Sequence, residues 1–224
     1  MEQEIGKNLM RDLKIDITQI VREEWEMKIL EILLAADFSN KLLFKGGTAL
    51  RLAYNSPRFS EDLDFSLDGD FSKTSFDQTI TSIKEKYPEV INVELQNKFY
   101  THFALIKIKE TWLSQSFSIK IEISKRKLAE ENEIRTLTSP TTNIQVIARV
   151  QTLDQILKDK IRAVETRVKA RDFFDLWYLY QLKREPVKLP KSKISAEVMR
   201  AELRKFLPNS YWLAIDQIIN DITS

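Results

Sequence analysis

The sequence predicts an α+β fold, with a mixed-sheet N-terminal module over residues 1–150 and a helical C-terminal module over residues 151–224. Three observations predict it. Apolar and polar residues alternate with period two in segments between residues 61 and 124, as half-buried strands require. From Leu153 onward the apolar period becomes helical and stays so to the end. Between the first strand and the helix after it stands Gly46-Gly47, half of the four glycines in the chain, which marks a sharp turn.

The elements follow in order. Ile17 to Ala36 carries Ile20, Val21, Trp25, Ile29, Leu30, Leu33 and Leu34 at helical spacing. Leu42 to Phe44 forms a short strand that ends at Lys45-Gly46-Gly47, and Thr48 can cap the next helix, through Ala49, Leu50, Leu52 and Ala53. Asn55-Ser56-Pro57 breaks that helix. Glu61 to Leu67 is a strand with Leu63, Phe65 and Leu67 on one face and Asp62, Asp64 and Ser66 on the other. Phe76 to Tyr87 is helical, and Val90 to Leu95, Phe103 to Lys109 and Phe117 to Ser124 are strands. In the last of these, Lys120 and Glu122 point outward. The helical half is interrupted near Val168 to Arg171 and again at Pro186 to Pro190.

A chain of 224 residues, 43% hydrophobic and 30% charged, has the length and composition to bury a core. The absence of cysteine excludes disulfides, thiolate metal sites and a cysteine nucleophile. The charged N-terminus lacks the apolar centre of a signal peptide, and no segment approaches a membrane-spanning length, so a soluble, cytoplasmic protein is expected. A net charge of +2 argues neither for nor against nucleic acid.

The chemistry concentrates in LFKGGTALRLAYNSPRFSEDLDF, residues 43–65. Two glycines between strand and helix let the backbone approach a ligand, and the free N–H groups of the helix start suit a phosphate; Gly-Gly-Thr by itself also fits a tight structural turn. Carboxylates at i and i+2 of a strand share one face, with Cα atoms roughly 6–7 Å apart, and can hold divalent ions for phosphoryl transfer. Hard oxygen ligands and substrate phosphates favour Mg²⁺, with Mn²⁺ as the alternative. Asp68-Gly69-Asp70 matches the same spacing but reads as a polar turn; the apolar alternation around Asp62 and Asp64 is what places both acids on one face. If the two strands are neighbours, Glu122 joins them.

Strand, Gly-Gly-Thr, short helix, Asp-x-Asp on a strand and a later strand acid together resemble the polymerase-beta-like nucleotidyltransferase superfamily. KGGTALRLAYNSPRFSEDLDFSL followed by DKIRAVETRVKARDFFDLWYL resembles, more narrowly, the AbiEii/AbiGii toxins of toxin–antitoxin pairs. The resemblance implies that Lys45, Gly46, Gly47 and Thr48 hold the phosphates of a nucleoside triphosphate. It implies that Asp62 and Asp64 bind the metal, with Glu122, in place of the aspartate expected there, as the third carboxylate. Arg58 and Ser60 support the site, Lys160 contacts the triphosphate, and Asp172 or Asp175 is a further polar group near nucleotide or acceptor. The implied reaction transfers NMP to an acceptor, by resemblance the 3′ end of tRNA, which would stop translation. A protein or a small molecule is the alternative acceptor, and a silent nucleotide-binding module the alternative to an enzyme. An antitoxin protein is the implied counterpart.

His102, the only histidine, reads as an incidental surface residue more readily than as a general base, and no Ser-His-Asp triad is supported. Lys125-Arg126-Lys127 and the cluster Arg162, Arg167, Lys169 and Arg171 could guide RNA phosphates or be solvated faces. Phe173, Phe174, Leu176 and Trp177 read as the buried face of a helix.

Overall fold

Alternation along Phe117–Ser124 buries Phe117, Ile119, Ile121 and Ile123 and turns Lys120 and Glu122 to the opposite face. In a computed structural model, which describes residues 1–126 and 130–223, that strand lies inside a mixed seven-stranded sheet. The strands are β1 (Leu42–Lys45), β2 (Asp62–Leu67), β3 (Val90–Lys98), β4 (Thr101–Ile108), β5 (Phe117–Ser124), β6 (Asn132–Ser139) and β7 (Thr142–Gln151). Their order across the sheet is β3-β4-β5-β2-β1-β7-β6. β2 runs antiparallel to β1 and parallel to β5, and β1 is parallel to β7.

Helices α1 (Gln3–Leu13), α2 (Ile17–Leu34), α3 (Gly46–Tyr54) and α4 (Lys73–Lys86) belong to the sheet half. After β7 come α5 (Leu153–Thr166), α6 (Ala170–Lys183), α7 (Ala196–Leu203) and α8 (Trp212–Thr223). One continuous core joins both halves, running from Trp25, Phe44 and Phe65 through Ile121 and Val150 to Phe173, Phe174 and Ile218. Each fully buried aliphatic or aromatic side chain of this kind contributes about 2 kcal/mol of transfer free energy. The α6 aromatics Phe173 and Phe174 are buried with Leu176, while Trp177 packs on the core from its edge.

Three features depart from the sequence reading. Thr48 is not the cap of α3 but its third residue; Lys45 holds the cap position without a side-chain hydrogen bond. The Thr48 hydroxyl instead donates to the Asp62 carbonyl and ties the helix to β2. His102 is not on the surface: it is buried on the inward face of β4, stacked 4.8 Å from Phe71, and burial followed by the Lys125 charge lowers its pKa. The β6–β7 hairpin and α1 have no counterpart in the sequence assignment. Ile134 and Ile147 are exposed while Leu137, Ala148 and Val150 are buried, so the hairpin's apolar residues do not mark a single face along its whole length. Of the Lys125-Arg126-Lys127 run, Lys127 lies outside the described residues, and Arg126 stands over the Tyr100 ring.

Helix α2 is buried nearly all round and carries acids into the interior. Glu23 pairs with Arg51 at 2.5 Å, and Glu24 meets the N-terminal amine at 3.0 Å. Neither oxygen of Glu26 has a hydrogen-bond partner. Burial, and then the Glu23 charge, raise its pKa well above the ordinary value against the pull of Arg22 and Arg51. An acid that keeps its proton longer in the folded state loses stability as pH rises above the unfolded value. Glu26→Gln should therefore raise the melting temperature at neutral pH and flatten its decline above pH 5, measured by thermal denaturation across pH. An unchanged slope would show that Glu26 is already ionised in the fold.

Candidate active site

The turn into α3 needs glycine at both positions. Gly46 has a φ of +83°, and a Cβ there would lie 2.9 Å from Asp64 Oδ2. A Cβ on Gly47 would overlap the Arg58 guanidinium and come within 3.0 Å of Ser60 Oγ. The two glycines thus bring the α3 N-terminus directly against the acidic face of β2. With no side chain capping α3, its first N–H groups and the positive end of its dipole are available to an anion.

The parallel pairing of β2 with β5 places Asp64 opposite Glu122 and Asp62 opposite Lys120. The three acids share one face, and the Lys120 ammonium stands between two of them, 2.9 Å from Glu122 and 3.3 Å from Asp62. Burial alone would lower the Lys120 pKa; its hydrogen bond to Glu122 and the charges of Asp62, Glu122 and Asp64 outweigh that and raise it. The Asp64 pKa is raised, first by burial and then by the neighbouring Asp62 charge, with Lys120 opposing. Among the described residues no three His, Cys, Asp or Glu side chains converge as on a bound metal. Asp62 and Asp64 do fit Mg²⁺ in the manner in which one or two carboxylates hold it together with substrate phosphates. Glu122 is engaged by Lys120.

Behind the glycines runs a chain of alternating charge, buried from Arg58 to Asp172 and ending at the half-exposed Arg167. Arg58 donates to both oxygens of Asp175, at 2.6 and 2.8 Å, and to the Phe59 carbonyl at 2.9 Å. Lys160 bridges Asp175 at 2.6 Å and Asp172 at 3.0 Å, and Arg167 closes the chain on both oxygens of Asp172 at 2.8 and 3.0 Å. Asp172 and Asp175 are fully buried; both lie behind the cleft and neither lines it. Their pKa values are lowered, Asp175 to about 2, because the charges of Arg58 and Lys160 at Asp175, and of Lys160 and Arg167 at Asp172, overcome the cost of burial.

These elements enclose a cleft of about 210 Å³. Gly46, Gly47, Arg58, Ser60, Asp62, Asp64, Glu122 and Lys160 line it, as do Lys120, Arg167, Lys169 and Arg171. Lys45 lines an adjoining cavity, 3.9 Å from Glu130, and the Thr48 side chain is buried beneath the turn. Arg162 lines neither space. The sequence reading saw Lys120 only as an outward strand residue and missed Gln151 and Asp159 of the adjoining cavity. The spacing of Ile156, Asp159, Lys160, Ala163 and Arg167 along and just beyond α5 is the helical signal that could have found that wall.

Breaking a buried ion pair on one side leaves the other charges unpaired. Asp175→Asn should cost about 3 kcal/mol in urea unfolding at neutral pH. With the pKa of Asp175 depressed from 3.8 to about 2, its contribution is present above pH 4 and lost as pH falls toward 2. The substituted protein should lack that acid-limb slope, and equal slopes would contradict the pairing.

No curated protein matches the chain. A crystal structure from H. pylori, of a protein assigned as a nucleotidyltransferase, superposes with a TM-score of 0.54 at 24% identity, covering 73% of this chain and 68% of that one. The crystal structure of JHP933 from Helicobacter pylori superposes with a TM-score of 0.60 at 18% identity, covering 93% and 94%. At these identities the likeness is one of fold. The model of the nucleotidyl transferase AbiEii toxin family, of the type IV toxin–antitoxin system, matches residues 28–216. The glycine turn, the paired aspartates and the buried Lys160 all fall inside that span, and the chain belongs to the AbiEii family of nucleotidyltransferase toxins.

Proposed function

We propose that this toxin is a Mg²⁺-dependent enzyme, with Mn²⁺ able to substitute, that transfers NMP from a nucleoside triphosphate to a hydroxyl acceptor. Residues 1–150 serve as the catalytic module and residues 151–224 as the helical module that closes the nucleotide site. The observation that carries this reading is the alignment of Asp62, Asp64 and Glu122 on one sheet face against the uncapped start of α3.

Asp62 and Asp64 are the residues that would hold the ion. When bound, it would supply charge neutralisation for the phosphates in and after transfer. The backbone N–H groups of Gly46, Gly47 and Thr48 and the ammonium groups of Lys45 and Lys160 bind the phosphates. Arg58 keeps the Gly47 turn in place from behind, and Ser60 lines the cleft beside it. Asp172 and Asp175 position Lys160 and Arg167. The acceptor oxygen bonds to the α-phosphorus, the bond to the β-phosphate bridge breaks, pyrophosphate leaves, and the acceptor's proton passes to the Glu122 carboxylate.

Arg167, Lys169 and Arg171 at the cleft favour a polyanionic acceptor, and the 3′ end of tRNA is the acceptor we assign. Modified tRNA would halt translation, and the family's pairing of toxin with antitoxin supplies the counterpart that restrains it. Both substrates place the activity in the cytoplasm, and no described helix is long and apolar enough to cross a membrane.

The test is label transfer from four α-labelled nucleoside triphosphates into total RNA and total protein. A tRNA-sized labelled band from wild type, absent with Asp64→Asn, is expected. Label in protein would redirect the acceptor, and transfer by folded Asp64→Asn would remove the metal role. Lys120→Met should raise Mn²⁺ affinity several-fold, followed by electron paramagnetic resonance of free Mn²⁺. Equal affinity would show that Lys120 does not compete for the carboxylates.

A further inference from the structure

The cleft has a second compartment whose chemistry differs from that of the phosphate site. A cavity of about 260 Å³ adjoins it and shares Gly46, Asp64, Lys160 and Arg167. Away from that shared wall, its apolar surface is Ile156 and Ala163 of α5, its polar edge is Gln151 and Asp159, and Lys45 stands at the side toward the phosphate site. A nucleobase has the same division, with apolar ring faces and a polar rim, and the volume suits one base with part of its ribose.

The polar edge is held in one orientation. Gln151 is almost fully buried at the end of β7. Its Nε2 donates to Asp159 Oδ2 at 2.8 Å and to Glu130 Oε2 at 2.8 Å, which uses both amide protons. Gln155 Nε2 donates to Asp159 Oδ1 at 3.1 Å. Asp159 is therefore fixed by two amides and, as a carboxylate, offers a ligand only acceptors.

We propose that this compartment holds the base of the nucleoside triphosphate, and that Asp159 selects bases carrying an exocyclic amino group, namely adenine, guanine or cytosine, over uracil. The inference rests on the proposed function. An exocyclic amine gives its N–H to the carboxylate. Uracil has no amine, and its single ring N–H lies between two carbonyl oxygens that the carboxylate repels. A polar group left unpaired in such a site discriminates by a factor of about 10 or more.

The experiment is equilibrium binding, with Mg²⁺, of non-hydrolysable analogues of the four nucleoside triphosphates and of inorganic tripolyphosphate. With wild type, the uridine analogue should bind about 10-fold or more weakly than the best of the other three. Asp159→Asn, whose amide both donates and accepts, should close that gap while leaving tripolyphosphate affinity unchanged. Should Asp159→Asn fail to fold, Ala163→Met fills the cavity instead. It should weaken the nucleotides but not tripolyphosphate. Equal binding of all four bases by wild type overturns the proposal, as does an unchanged gap in folded Asp159→Asn. Tripolyphosphate binding as tight as nucleotide binding would overturn the base compartment alone. No binding of either would overturn the phosphate site and this inference together.

Discussion

Five charged groups alternate in sign, Arg58, Asp175, Lys160 and Asp172 in the interior and the half-exposed Arg167 at its edge, and connect parts of the chain that no backbone ladder joins. Arg58 comes from the loop before β2, Lys160 from α5, Asp172 and Asp175 from α6, and Arg167 from the turn between those helices. Each buried charge in this chain is tolerable only because its neighbour neutralises it, so the elements that carry them are held at one separation. Three of the five, Arg58, Lys160 and Arg167, also line the cleft. The α6 aromatics fill the space around the chain, but apolar contact is non-directional and would accept a shifted helix. The bidentate Arg58–Asp175 contact would not.

A second constraint acts from the sheet. The Gly-Gly turn and β2 approach until a single added methyl would meet Asp64 at one glycine and Arg58 at the other. The uncapped start of α3, the acids and the ion-pair chain are therefore in contact through two residues without side chains. Thr48 reinforces this from below by donating to the Asp62 carbonyl. One geometry thus serves packing and chemistry, and a change at either glycine would disturb both.

Electrostatically the cleft sets basic side chains around a small acidic centre. Lys120 lies between Asp62 and Glu122 and keeps like charges from facing each other unscreened. Asp64, with no ion-pair partner of its own within 4 Å among the described residues, carries the raised pKa expected of the acid nearest the centre. A cation with more charge and oxygen-seeking chemistry would take over the role that Lys120 fills.

The local patterns were legible in the sequence because their signals are short in range. Strand β5 follows from Phe117, Ile119, Ile121 and Ile123, and the common face of Asp62 and Asp64 from Leu63, Phe65 and Leu67. The glycine turn and the family resemblance were equally plain. The β6–β7 hairpin was not, because Ile134 and Ile147 are exposed and blur its alternation. His102 was misplaced because a lone polar residue in a strand does not announce that Phe71 will cover it. By itself, then, the sequence determined which residues share a strand face and where the chain must turn, since both depend on periods of two to four residues. Only the tertiary structure decided that Glu122 lies beside Asp64 and that Lys120 bridges two acids. It also decided that Asp172 and Asp175 turn away from the cleft to hold Lys160. Those outcomes depend on the register of β2 against β5, on the docking of α6 against Arg58, 117 positions before Asp175, and on the packing of α5 against α6, and no local period encodes them.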